Sequence, residues 1–145
     1  MKVHFVCTGN TFRSRMAEAY LKSKNIPNLE ISSSGIHANR DKNGTVAGYT
    51  ITILKNHHIS EYLSPTWQQT TKELLEGQDL VIFMHKNHEA FCLNELHANV
   101  PKYITWDIPD IPDSLKVSEH LLEINERAEK DFQKIKDNID KLNLV

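Results

Sequence analysis

Cys7 and Arg13 enclose five residues, Thr8-Gly9-Asn10-Thr11-Phe12, and Ser14 directly follows the arginine. Each of these residue types has a use in moving a phosphoryl group. A cysteine thiolate is a nucleophile. A guanidinium is a planar fork that binds two oxygens of one phosphoryl group, which a lysine cannot do. A hydroxyl after the arginine could donate a hydrogen bond to the sulfur. Gly9 and Asn10 tolerate positive φ, which a loop needs if successive main-chain amides are to converge on one point.

The flanking sequence supplies the elements that would hold this loop. Val3 to Val6 is an apolar run ending at Cys7, and Met16-Ala-Glu-Ala-Tyr-Leu-Lys22 is rich in helix formers. The order is strand, loop, helix. Unpaired N–H groups at the start of a helix, together with its dipole, make an electropositive cradle for an anion such as phosphate or vanadate. The same field favours thiolate over thiol at Cys7.

Val6-Cys7-Thr8-Gly9-Asn10-Thr11-Phe12-Arg13-Ser14, continuing into Met16-Ala17-Glu18, resembles the signature loop of the low-molecular-weight protein tyrosine phosphatases. The placement of the loop and the length of 145 residues are also similar to that family. The resemblance implies Cys7 as nucleophile and Arg13 as phosphate binder. Thr8, Gly9, Asn10, Thr11, Phe12 and Ser14 would line the substrate site. It further implies that a serine at the end of the second strand, here Ser33 in Ser33-Ser34-Gly35, buttresses the loop through Asn10. Two positions of this stretch depart from the family pattern. Phe12 stands where many members have a second cysteine, and it is expected to present an aromatic edge at the cleft floor. Arg15 stands where proline is common; it is read either as a solvated first-turn residue or as added positive charge near the site.

The remaining chain reads as an α/β alternation. Leu29 to Gly35 forms a second strand, completing a βαβ unit. Residues 36–47 form a polar loop that, by resemblance, helps wall the cleft; it offers His37 and Arg40 but no Phe, Tyr or Trp. Tyr49 to His57 suits a helix, His57-His58 its terminus, and Thr70-Thr-Lys-Glu73 a capping box before a short helix over Thr71 to Glu76. Asp79 to Met84 is a buried parallel strand, 86–97 a helix, and Lys102 to Trp106 the fourth strand. Val117, Leu121, Ile124, Ala128, Phe132, Ile135, Ile139 and Leu142 recur at helical spacing, which predicts one amphipathic helix from about Leu115 to Leu142. The fold class is therefore a single-domain, doubly wound parallel sheet of about four strands with helices on both faces. Its ligand would bind at the carboxyl ends of the strands, where Cys7 lies.

A departing phenolate needs a proton, and a carboxylic acid can give it. The resembled family keeps an aspartate, usually before proline, in a loop after the fourth strand. Trp106-Asp-Ile-Pro-Asp-Ile-Pro-Asp113 offers Asp107, Asp110 and Asp113. The family's tryptophan register favours Asp110, with Ile111 in the place of the proline. The implied reaction proceeds through a phosphocysteine and needs no metal or other cofactor.

Three other readings compete. Thioredoxin-linked arsenate reductases are similar in loop and fold but relay a disulfide through two further cysteines, and this chain adds only Cys92. A catalytically silent member would bind phosphotyrosine without turning it over. His85, His88 and Cys92 would share one helical face and could contribute to a zinc site, although no fourth ligand is evident. A net charge of -2 argues against a nucleic-acid partner, and no apolar stretch approaches the roughly 20 residues of a membrane span. A strand at the very start, rather than a signal peptide, and a nucleophilic cysteine that must stay reduced point to the cytoplasm. The expected partner is a phosphotyrosine protein or a small aryl phosphate. Phosphoarginine proteins and small phosphomonoesters also stay open, and Thr8, by narrowing the pocket floor, bears on that choice.

Overall fold

The computed structural model describes residues 1–40, 44–112, 115 and 121–144. Four parallel strands, β1 (Lys2–Cys7), β2 (Glu30–Gly35), β3 (Leu80–Phe83) and β4 (Tyr103–Thr105), lie in the order β2-β1-β3-β4. β1 is therefore central, and its register sets Cys7 opposite Gly35. The helices are α1 (Arg13–Ser23), α2 (Gly48–Asn56), α3 (Lys72–Glu76), α4 (Lys86–Ala90) and α5 (Leu121–Asp140). None of the described helices is long and apolar enough to cross a membrane.

The two-residue period of the strands divides the core between two faces. Val3, Phe5 and Cys7 from β1, with Leu80, Ile82 and Met84 from β3 and the residue after it, pack with α1, α2 and α5. Val6, Val81 and Phe83 point the other way, onto Leu75 of α3 and Cys92 beyond α4. Helices thus cover both faces, as expected of a doubly wound sheet. Ile124, Ala128, Phe132, Ile135 and Ile139 form the buried stripe of α5. Each large apolar side chain so buried contributes about 1.5–3 kcal/mol.

Three local expectations change. The helix expected over 86–97 stops at Ala90 and widens into a π-helical turn over Phe91–Glu95. The capping residue of α3 is Thr71, whose side chain accepts from the Leu74 amide; Thr70 is buried and bonds Ser34 Oγ at 2.6 Å. The last helix ends at Asp140 rather than Leu142, and residues 116–120 of the expected Leu115 to Leu142 span, Val117 among them, lie outside the described residues.

Candidate active site

Cys7 ends the central strand, and the chain then turns through residues 8–12 into α1. Asn10, rather than Gly9, takes the left-handed conformation, with φ 54°. Its amide N–H points at Cys7 Sγ at 3.3 Å. The carbonyls of the loop are held from outside. Cys7 O accepts from Ile36 N at 3.0 Å and Thr8 O from His37 N at 2.8 Å. Asn10 O accepts from Arg15 Nη1 at 3.0 Å, and Thr11 O from both Ala47 N at 3.1 Å and Thr50 Oγ1 at 2.7 Å. In a trans peptide the N–H points opposite to the preceding C=O, so pinning the carbonyls outward turns the N–H groups of Gly9, Thr11 and Phe12 inward. The result is an anion-binding concavity around the sulfur.

The side chain of Asn10 locks this turn. Its Oδ1 accepts from the Gln68 amide at 2.8 Å, a donor that cannot be reversed, which fixes Nδ2 toward Ser14 Oγ and Ser33 Oγ, each at 2.8 Å. Ser33 in turn donates to Glu18 Oε1 at 2.5 Å. Ser14 Oγ, which accepts from Asn10, lies 2.9 Å from Cys7 Sγ and 3.5 Å from Ser34 O, so its single hydrogen has the sulfur as its nearer acceptor. The network behind the loop thus joins Ser33 to Asn10. It extends to two groups with no expected role, Gln68 and Glu18. Gly35 completes the support by close approach: a Cβ there would lie 2.5 Å from Thr8 O, 2.7 Å from Asn10 N and 2.8 Å from Gly9 C.

Arg13 is buried, and its guanidinium donates to Ile108 O at 2.9 Å and to Thr8 Oγ1 at 3.2 Å. Asp110 Oδ2 lies 3.8 Å from Arg13 Nη2 with its side chain 42% exposed. Ile108 and Ile111 are each 1% exposed and dip into the core on either side, which holds Pro109 and Asp110 up at the rim. Ile111 also donates its amide to Asp110 Oδ1 at 2.8 Å. Asp107 is placed otherwise: its side chain is 92% exposed and sits 3.6 Å from His85 Nε2. Asp113 lies outside the described residues.

Several side chains differ from expectation. The ring of Phe12 does not edge the cleft; it is buried edge-on against Tyr49, with centroids 5.0 Å apart, so only its backbone can face the anion. Arg15 is not the solvated first-turn residue of one reading: it is 1% exposed and bonded to main-chain carbonyls, Asn10 O of the loop among them. Thr8 Oγ1, besides meeting Arg13, bonds His88 Nε2 at 2.9 Å. Burial, reinforced by the Arg13 charge, pushes the His88 imidazolium down to about 3, so this histidine is neutral. The face expected for His85, His88 and Cys92 is not a metal cluster: His88 is spent on Thr8, His85 caps α4 through Nδ1, and Cys92 is fully buried. Among the described residues no group of three or more His, Cys, Asp or Glu could hold a metal ion.

The model of the low molecular weight phosphotyrosine protein phosphatases matches residues 2–143 of the sequence. The chain belongs to this family. It is accordingly a cysteine-based phosphatase. It is 32% identical over 122 residues to a protein-arginine-phosphatase of Bacillus subtilis, covering 78% of this chain and 79% of that one. With the low molecular weight protein-tyrosine-phosphatase PtpB of Staphylococcus aureus it shares 35% identity over 104 residues, 72% of this chain and 69% of the relative. The solved YwlE arginine phosphatase of Geobacillus stearothermophilus superposes with a TM-score of 0.77 at 26% identity, covering 96% of this chain and 88% of that one.

Family membership does not account for every neighbour of the phosphatase loop. Glu18 was legible as part of the resembling stretch but not as the acceptor behind Ser33. Gln68 left no signal, because it acts through its main-chain amide. His88 stood out only as a metal candidate. Cys92 belongs to the core on the opposite face of the sheet from Cys7, and burial pushes its thiol up to about 12. A disulfide relay from Cys7 through Cys92 would need the sheet to come apart.

Proposed function

We propose that this chain dephosphorylates protein side chains in two steps through a phosphocysteine. Cys7 attacks phosphorus in line while Arg13 and the inward N–H groups of residues 9–12 bind the equatorial oxygens. Asp110 gives its proton to the leaving atom. As a carboxylate it then takes a proton from water, whose oxygen attacks the phosphocysteine and releases phosphate and the Cys7 thiolate. Ser14 stabilises that thiolate by hydrogen bonding. The observation that carries this reading is the Asn10 N–H aimed at Cys7 Sγ at 3.3 Å within a loop whose carbonyls are held outward. Asp110 is preferred to Asp107 because it stands beside Arg13 while Asp107 faces His85. The described residues function as one phosphatase unit in a reducing compartment, the cytoplasm, a reading supported by two free cysteines.

Phosphotyrosine in a protein is the first substrate reading, from the family. Phosphoarginine is the second. The sequence of the wall loop, residues 36–47, contains no Phe, Tyr or Trp, and Ile111, buried in the core, follows the acid, so neither the wall loop nor the position after the acid offers an aryl ring for a phenol to lie against. Two of the relatives above are named as arginine phosphatases. The test is turnover of matched phosphotyrosine and phosphoarginine peptides by wild type, Cys7→Ser and Asp110→Asn, in the presence of chelator. Loss of all turnover in Cys7→Ser and a strong fall in Asp110→Asn are expected. Wild-type turnover that survives Cys7→Ser would overturn the mechanism.

A further inference from the structure

Among the described residues Arg15 is the largest fully buried side chain, and it lies directly behind the phosphate loop. Its Nη1 donates to Asn10 O at 3.0 Å and to Thr45 O at 2.9 Å, and its Nη2 donates to Ser64 O. Among the described residues, all its hydrogen-bond acceptors are main-chain carbonyls, one from each of three separate segments. Its Nε is buried with no partner. Burying a guanidinium on neutral acceptors is costly, and burial does disfavour its charge here, with Glu18 as the main compensating charge. Glu18 is itself shared with Lys22, Ser33 and Ser64. A charge kept at such cost in the first turn of α1, where proline would fit the backbone, calls for a use.

We infer that Arg15 is a positioning residue of the phosphatase site. By holding Asn10 O from behind, it turns the Thr11 N–H toward the bound phosphoryl group, and it ties that orientation to the segments carrying Thr45 and Ser64. The geometry is the trans peptide: Asn10 C=O and Thr11 N–H belong to one plane and point in opposite directions, so whatever grips the carbonyl aims the amide. Thr50 and Ala47 do the same for the next peptide through Thr11 O, but with neutral donors. Arg15 differs in bringing a positive charge to the closed side of the cradle, where no bulk water screens it. It touches neither substrate nor sulfur. This role rests on the reading of the loop as the phosphate site.

The experiment uses orthovanadate as the anion and p-nitrophenyl phosphate as substrate, with Arg15→Met, Arg15→Lys and Arg15→Pro in the full chain. Arg15→Pro guards against a failure to fold, since proline suits the first helical turn. Folded Arg15→Met and Arg15→Pro are expected to bind vanadate about 10- to 100-fold more weakly, the range of a lost charge-assisted hydrogen bond. Their kcat/KM should fall in parallel. Arg15→Lys, which keeps charge without the fork, should fall between. Folded Met and Pro variants with wild-type vanadate affinity, even at a lower melting temperature, would show that Arg15 only stabilises the fold. Wild type unable to bind vanadate would instead remove the phosphate site itself, and this inference with it.

Discussion

Replacing Gly35 by alanine tests how the loop is shaped, because the three atoms nearest the added methyl would all be backbone atoms of residues 8–10. The nearest atom, Thr8 O, would be 2.5 Å from the new Cβ, and Asn10 N and Gly9 C would be 2.7 and 2.8 Å away. Cβ atoms keep at least 3.0 Å, so either β2 or the loop must give by about half an ångström. β2 is the worse candidate, being paired along its whole length with β1. The loop yields instead, and with it the Asn10 N–H and the amides behind the sulfur. Overpacking of this kind costs about 1–3 kcal/mol of stability. The effect on catalysis should be larger: a misplacement of about 1 Å costs on the order of 100-fold, so kcat/KM is expected to fall about 10- to 100-fold. The assay pairs p-nitrophenyl phosphate kinetics and vanadate inhibition with urea unfolding, so that lost activity is read on folded protein. Gly35→Ala with kcat/KM within threefold of wild type would refute the claim that this glycine sets the loop.

Other outcomes follow from single residues. Asp110→Asn should lower kcat by roughly 100-fold or more, whereas Asp107→Asn should leave it within about threefold, as measured on an aryl phosphate with a poor leaving group. His4, buried between Ser32 Oγ and Ser34 Oγ, is held down to about 3 against an ordinary 6.5, so the unfolded chain binds its proton first. Its stabilisation is complete above pH 6.5 and is lost as pH falls; urea unfolding should show about 2 kcal/mol less stability at pH 5 from this group, absent in His4→Gln. Asp131 has the opposite sign. Burial raises its carboxyl from 3.8 to about 6, and its Oδ2 has no partner, so stability is lost as pH rises through 6. Asp131→Asn should therefore be more stable than wild type at pH 8, by roughly 2 kcal/mol, and little different at pH 4.

The residues that the sequence revealed best act through their own chemistry at fixed spacing. Cys7, Arg13, Asn10 and Ser14 could be named because a thiol, a fork, a turn-tolerant amide and a hydroxyl are needed close together. The sheet was legible for a related reason: β3 is continuously apolar and the last helix is periodic, and these patterns follow directly from burial. What stayed hidden acts through the main chain or through distant packing. Gln68 contributes an amide N–H that any residue but proline would carry. The fate of Arg15 depends on carbonyls 30 and 49 residues away, which no local pattern announces. Phe12 looked like a cleft residue because it sits in the loop, yet Tyr49, from α2, offers its ring a better place in the core. Residues 86–97 likewise have helical composition, but after α4 the chain continues as a π-helical turn over Phe91–Glu95.

The central claim is that Cys7 carries the phosphoryl group, and the direct measurement is to trap it. Asp110→Asn, slow in giving up the phosphocysteine, would be mixed with p-nitrophenyl phosphate and quenched in acid, and its peptides examined by mass spectrometry beside those of Cys7→Ser/Asp110→Asn. A phosphate on Cys7 in the single variant, and no phosphocysteine in the double variant, is the expected result. Continued turnover of substrate with no phosphate ever found on Cys7 would contradict it.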